Sequence, residues 1–225
     1  MQQRALIPIM ECPVALTLVM LGALCAAPLA RGETLDRIAV TIGRHVISEQ
    51  DILQDIRLSA FIDSKQPGFS AEQKRKAADR LIDQYLVLQD AALTRTPMPS
   101  AADVAAILAP IKARYASDQD YGNALTQARV TDAELTEHLL AGLRMLRYTD
   151  LRFRPEVEIS DDALRAYYDK LAASAGNSSA RPTFEASRND IEKLLTEQQT
   201  MQALDRWLSA ARGETSIVYH EAAFK

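Results

Sequence analysis

The side chains able to do chemistry are few and widely spaced. Histidines stand at His45, His138 and His220. No pair of them has metal-ligand spacing, such as two residues four apart on one helix face. His45 falls in a turn, His138 within a helix and His220 beside a terminal strand, so each reads as solvent-facing or singly hydrogen-bonded. Asp161-Asp162 is the one acidic pair that invites an acid–base reading. Adjacent residues do not face each other on a helix, and a first turn favours acids because they complement its free amides. Capping accounts for them. The chain carries no GxSxG, no HExxH and no phosphate-cradling glycine loop, and its 8 glycines leave little room for one. No catalytic residue, metal ligand or cofactor is assigned, and the chain reads as a non-enzyme.

Thiol chemistry depends on where the chain goes. Arg4 precedes an apolar run densest over residues 14–24, and small residues crowd Cys25-Ala26-Ala27-Pro28-Leu29-Ala30. That is the pattern of a cleavable export signal over residues 1–30, with a cut after Ala27, Ala30 or Gly32. The alternative, a retained anchor, needs about 20 apolar residues, and Pro8, Glu11 and Pro13 interrupt the front half. A lipoprotein needs a small residue before Cys25, where Leu24 stands instead. Cleavage removes Cys12 and Cys25, which leaves a mature chain with no disulfide and no thiolate. About 190 residues then remain, enough for one or two small domains held by packing alone. The net charge of −4 argues against a nucleic-acid partner. With 48% apolar but only 6% aromatic residues, the composition suits a mainly α protein built on Leu, Ile and Ala.

The elements that would position any site follow from periodicity and caps. Leu35 to Ile42 is β-branched and loosely alternating, Gly43-Arg44-His45 is a turn, and Val46-Ile47 returns as a short strand. Ser48 and Asp51 cap a helix with Ile52, Ile56 and Ala60 on one face. Ser70-Ala71-Glu72-Gln73 is a capping box that opens the clearest helix. Ala78, Leu81, Ile82, Tyr85, Leu88 and Ala92 form its expected apolar stripe, and Lys76, Asp79, Arg80, Asp83 and Asp90 its solvated surface. Ser100 and Asp103 cap a helix with Val104, Ile111 and Tyr115 on its stripe, and Pro110 predicts a kink or break there. Residues 119–122 read as a loop. Thr131 and Glu134 open a helix with Leu135, Leu139, Leu143 and Leu146 on its buried side, and residues 152–159 read as extended around Pro155. Ser160 caps a helix through Leu164, Tyr167, Tyr168 and Leu171. Residues 173–182 are a small-residue linker. Thr183 caps a long last helix that stops at Gly213, and Thr215 to Tyr219 ends the chain as a strand. Strands at both ends with helices between predict a small sheet that pairs the N-terminal strands with the C-terminal one.

Apolar side chains near loops and helix ends are the remaining candidates. Phe61 and Phe69 flank a loop, Met98 lies between prolines, and Met145 and Tyr148 lie near a helix end. They are either core and hinge residues or the lining of a peptide-binding groove, where soft Met and amphipathic Tyr suit many partners.

Three stretches carry a family resemblance. Asp36-Arg37-Ile38-Ala39-Val40-Thr41-Ile42-Gly43-Arg44-His45-Val46-Ile47-Ser48 is similar to the opening hairpin and helix cap of the SurA family of periplasmic chaperones. Residues 80–92, from Arg80 through Tyr85 to Ala92, are similar to its second helix. Residues 157–168, ending in Tyr167-Tyr168, resemble the segment that leads into its parvulin isomerase domain. A parvulin domain has roughly a hundred residues, and here only the linker follows. The resemblance implies a helical chaperone core made of residues 31–172 and 183–225, with 173–182 in place of the isomerase. It implies a periplasmic, ATP-independent binder of unfolded or outer-membrane-bound polypeptides, without stable membrane insertion. A prolyl isomerase and an envelope assembly adaptor with one dedicated partner are the alternatives.

Overall fold

The computed structural model describes residues 36–174 and 182–225. The expected export segment and residues 175–181 of the linker lie outside them. Strands β1 (Ile38–Ile42) and β2 (His45–Ser48) form an antiparallel hairpin. Gly43 makes its turn at φ 56°, a left-handed conformation that glycine adopts without steric cost. Near the other end, β3 (Ile217–Tyr219) pairs antiparallel with β1, Val40 opposite Tyr219 and Ile42 opposite Ile217. The order is β2-β1-β3, so β1 is central and β2 is an edge. The mainly α fold with a small sheet joining both ends agrees with the sequence. Among the described residues the first strand begins at Ile38, because Asp36 and Arg37 before it serve the next helix. Glu49 N–H donates to the Arg37 carbonyl at 2.7 Å, and Gln50 N–H to Asp36 Oδ1 at 3.2 Å.

Seven α-helices fill the described residues: α1 (Glu49–Ile62), α2 (Ala71–Leu93), α3 (Ala105–Lys112), α4 (Asp118–Ala128), α5 (Asp132–Arg152), α6 (Asp161–Ser174) and α7 (Phe184–Glu214). Reciprocal capping boxes close α1 at Ser48/Asp51, α2 at Ser70/Gln73 and α5 at Thr131/Glu134, each satisfying two otherwise free amides. Ser100 and Asp103 form the same box on a 3₁₀ turn, Ala101–Val104, that leads into α3. Helix α3 continues two residues past Pro110 before it stops.

Helix α4 corrects the loop expected over residues 119–122. Ser117 Oγ accepts from Asp120 N–H at 3.1 Å, and Tyr121 and Leu125 are buried one turn apart. Arg129 closes the helix in the left-handed region at φ 57°. The extended reading of residues 152–159 is corrected as well. Helix α5 runs to Arg152, Phe153 is buried, and a 3₁₀ turn, Arg154–Glu156, follows with proline in its first positions.

The buried residues form two clusters. In the first, Val40 and Ile42 of the sheet, Ile52 of α1, Ile82 and Leu86 of α2, and Leu204 and Leu208 of α7 meet Tyr148 and Phe153. The second joins Leu58 and Phe61 of α1 to Ile111, Tyr121, Leu125 and Leu135. Helix α1 therefore has apolar residues in both. Helix α6 lies against α7, where Tyr168 meets Phe184 edge-on at 5.6 Å and Arg188 pairs with Asp161 at 2.5 Å.

The two longest stripes differ from expectation. On α2 the buried residues include Leu86, Val87 and Ala91, whereas Leu81, Tyr85 and Leu88 are half-buried and Ala92 is exposed. Of its charges, Lys76 stays on the solvated surface, paired with Glu72 of the same helix, but the others reach neighbouring elements. Asp79 and Asp83 hold Arg212 of α7, Arg80 pairs with Asp55 of α1, and Asp90 accepts from the Tyr148 hydroxyl at 2.7 Å. On α5, Leu135 and Leu140 are buried with Tyr148, while Leu146 is 60% exposed. A helix wedged between several neighbours buries more than one stripe, and a single 3.6-residue period cannot place them all.

Candidate functional site

An open groove of about 660 Å³ runs between β2, α1, α2 and α5. Each element contributes through its local structure. The edge strand β2 presents His45 and Val46, with Val46 43% exposed. The capped start of α1 directs Asp55 and Leu58 to the floor, one turn apart. The face of α2 left half-buried by the shift of its stripe supplies Leu81, Tyr85 and Leu88. The first two turns of α5 add Glu134, Glu137 and His138.

The floor holds a buried carboxylate. Asp55 has a side chain only 2% exposed, and Arg80 of α2 donates to its Oδ2. Arg80 also lines a separate cleft beside Pro67 and Gly68 and is not among the residues that line the groove. The other oxygen, Oδ1, is buried without a hydrogen-bond partner among the described residues. His138 Nδ1 lies 3.6 Å from it, too long for a hydrogen bond. Burial pushes the His138 pKa below the ordinary histidine value; Asp55 opposes that shift and Arg80 adds to it. Burial thus disfavours the charged ring, and its approach to Asp55 is a close contact and not a hydrogen bond. At the rim His45 stacks on Tyr85, with ring centroids 4.2 Å apart and planes 6° from parallel.

Apart from His45 and His138, the charged residue types in this lining are all acidic. Asp51, Asp55, Glu134 and Glu137 are acidic, and the lining contains no lysine or arginine. Asp51 and Glu134 also serve the caps of their helices, at Ser48 and Thr131. The arrangement offers apolar walls, carboxylate acceptors and a stacked ring pair: the equipment for binding an extended, partly apolar chain.

The five residues expected to line a peptide groove do not form one surface. Tyr148 is 0% exposed in the first cluster, between Phe153 and Trp207, with ring centroids 5.8 and 5.4 Å away. Burial, together with the Asp90 carboxylate that accepts its proton, holds the Tyr148 hydroxyl well above the ordinary phenol pKa. Met98 and Met145 lie partly buried against the same cluster. Phe61 is buried in the second cluster, stacked on Tyr115 at 6.1 Å. Phe69 alone is largely exposed, at 42%, beneath the Arg57 guanidinium. Phe61 and Phe69 do share the lining of a smaller basic cleft, about 440 Å³, with Arg57, Lys65 and Arg129. Tyr148 is thereby corrected to a core residue, because its ring fills the space where α2, α5 and α7 meet. Of the residues that sequence reasoning passed over, His138, Asp55 and Tyr85 matter most. Asp55 sits one helical turn from Asp51 and Leu58, a polar residue inside an otherwise apolar face, and that was the available signal.

No family model matches the chain, and no curated protein is significantly similar to it.

Proposed function

We propose that this chain is an exported, ATP-independent chaperone that holds extended segments of unfolded polypeptide, outer-membrane-bound chains among them, without isomerase activity. The groove between β2, α1, α2 and α5 is the observation that carries the reading: β2 and α2 present exposed or half-buried Val46, Leu81, Tyr85 and Leu88 to one open channel that α1 and α5 complete. An edge strand in the lining adds to it, since β2 has a neighbour on one side only and extended chains pair with such edges. The likeness of the opening hairpin, second helix and Tyr167-Tyr168 helix to the SurA family supports the same function and a periplasmic location. Among the described residues no helix is long and apolar enough to cross a membrane.

The purified exported chain is expected to suppress aggregation of a client diluted from denaturant, in proportion to its molar excess and without nucleotide. Unchanged light scattering at clear excess would reject the holdase. A protease-coupled proline isomerisation assay run alongside is expected to stay at background, and catalysis there would make the isomerase the better reading. One stoichiometric partner from an envelope extract, in place of many clients, would favour the assembly adaptor.

A further inference from the structure

We propose that the groove contains a subsite for a basic side chain, so that the segments it holds are apolar chains bearing a lysine or arginine. The inference rests on the holdase reading and names the chemistry of its clients. Two observations carry it. The groove's charged lining is wholly acidic, with Glu137 at one wall free of any ion pair among the described residues. Independently, Asp55 Oδ1 is a carboxylate oxygen with no hydrogen-bond partner, on a side chain 2% exposed in the groove floor.

A buried acceptor oxygen left without a donor costs stability even when the other oxygen is paired, and a donor that reaches it recovers much of that cost. Arg80 does not already do so, because it donates to Oδ2 and is not among the residues that line the groove. His138 does not do so either, since its Nδ1 stands at 3.6 Å. An ammonium or guanidinium that displaces the imidazole meets Oδ1, which has no donor among the described residues, and Glu137 and Glu134 line the same channel. The aliphatic stem of such a side chain lies along Leu81, Leu88 and the Tyr85 ring, which suits the long apolar stems of Lys and Arg. A glutamate in the same position would meet the like charges of Asp55, Glu134 and Glu137, with no lysine or arginine in the lining to offset them.

Three dye-labelled peptides decide the matter, each an extended Leu/Ser sequence with a central lysine, norleucine or glutamate. Anisotropy titration of the full exported chain is expected to rank lysine about tenfold tighter than norleucine, with glutamate weakest. Added salt should narrow the gap. Asp55→Asn is expected to remove most of the lysine preference. In case that variant fails to fold, Glu134→Gln/Glu137→Gln serves as well: glutamine keeps the capping box at Thr131, and Glu137 is exposed. Circular dichroism checks that helices persist. Equal binding of lysine and norleucine peptides would overturn the subsite while leaving the holdase standing. A lysine preference untouched in either folded variant would overturn its placement here. Failure of all three peptides to bind would remove the holdase reading and the subsite with it.

Discussion

The most consequential residues are a charged pair that sequence spacing does not connect. Asp55 and Arg80 lie a helix apart in the chain, and His138 a further three helices on, yet Arg80 and His138 both come to the Asp55 carboxyl. Burial lowers the pKa of His138, with Asp55 opposing and Arg80 assisting. The unfolded chain therefore takes up that proton more readily than the folded one. Stability associated with His138 is complete above the ordinary histidine value, about 6.5, and declines as pH falls below it toward the depressed folded value. Urea midpoints for the parent chain should drop between neutral and mildly acidic buffer, and by less in His138→Gln. An identical drop in both chains would show that His138 is not the group responsible.

At the scale of elements, capping chemistry was the most legible part of the chain. The boxes at Ser48, Ser70 and Thr131 were readable because a cap is local: two side chains three apart and the amides between them. Helix α4 was missed because Gly122 and the polar run before it read as a loop, although Ser117 and Asp120 carry half of the same signature. Gly122 lies within the helix, and a β-carbon placed there meets no atom within 4 Å. Gly122→Ala should accordingly raise stability by about 0.5–1 kcal/mol, through reduced freedom of the unfolded chain. Chemical denaturation reads this directly, and a destabilised variant would mean that α4 is not helical at that residue. The apolar faces of α2 and α5 were less legible, since Leu86, Val87 and Tyr148 are buried by neighbours that no local period specifies.

For the whole molecule, the two ends of the described chain close the fold. β3 pairs with β1, Phe224 is buried in the first cluster beside Tyr219, and Lys74 draws the last residues onto α2. Its ammonium donates to Glu49 Oε1 at 2.8 Å and to the backbone oxygens of Ala223 and Lys225 at 3.1 Å each. Lys74 is buried, so its donors have few alternatives in water. Arg212 makes the second tie, donating to Asp83 at 2.8 Å and to the Asp79 backbone oxygen at 2.9 Å, while Tyr219 donates to the Asp79 carboxylate at 2.6 Å. Removing one partner of a buried pair leaves the others unsatisfied. Lys74→Met should cost about 3 kcal/mol and release the C-terminal turn to faster amide exchange. Unaltered exchange over residues 221–225 would show that other contacts hold this end.

The sequence by itself determined the helix starts at Ser48, Ser70, Thr131 and Thr183, the hairpin turn at Gly43, the small sheet and the mainly α class. Caps, turns and strand alternation are encoded by residues a few positions apart, and their physics needs no distant partner. It also marked Phe61, Phe69, Met98, Met145 and Tyr148 as apolar side chains of interest, without saying which face they take. Only the tertiary structure decided that Tyr148 is core, that the α2 charges bind α1, α5 and α7, and that Asp55, His138 and Tyr85 share a groove. Those outcomes depend on which helices meet and at what rotation. Burial and pairing across elements are properties of the assembled packing, and no spacing along one helix contains them.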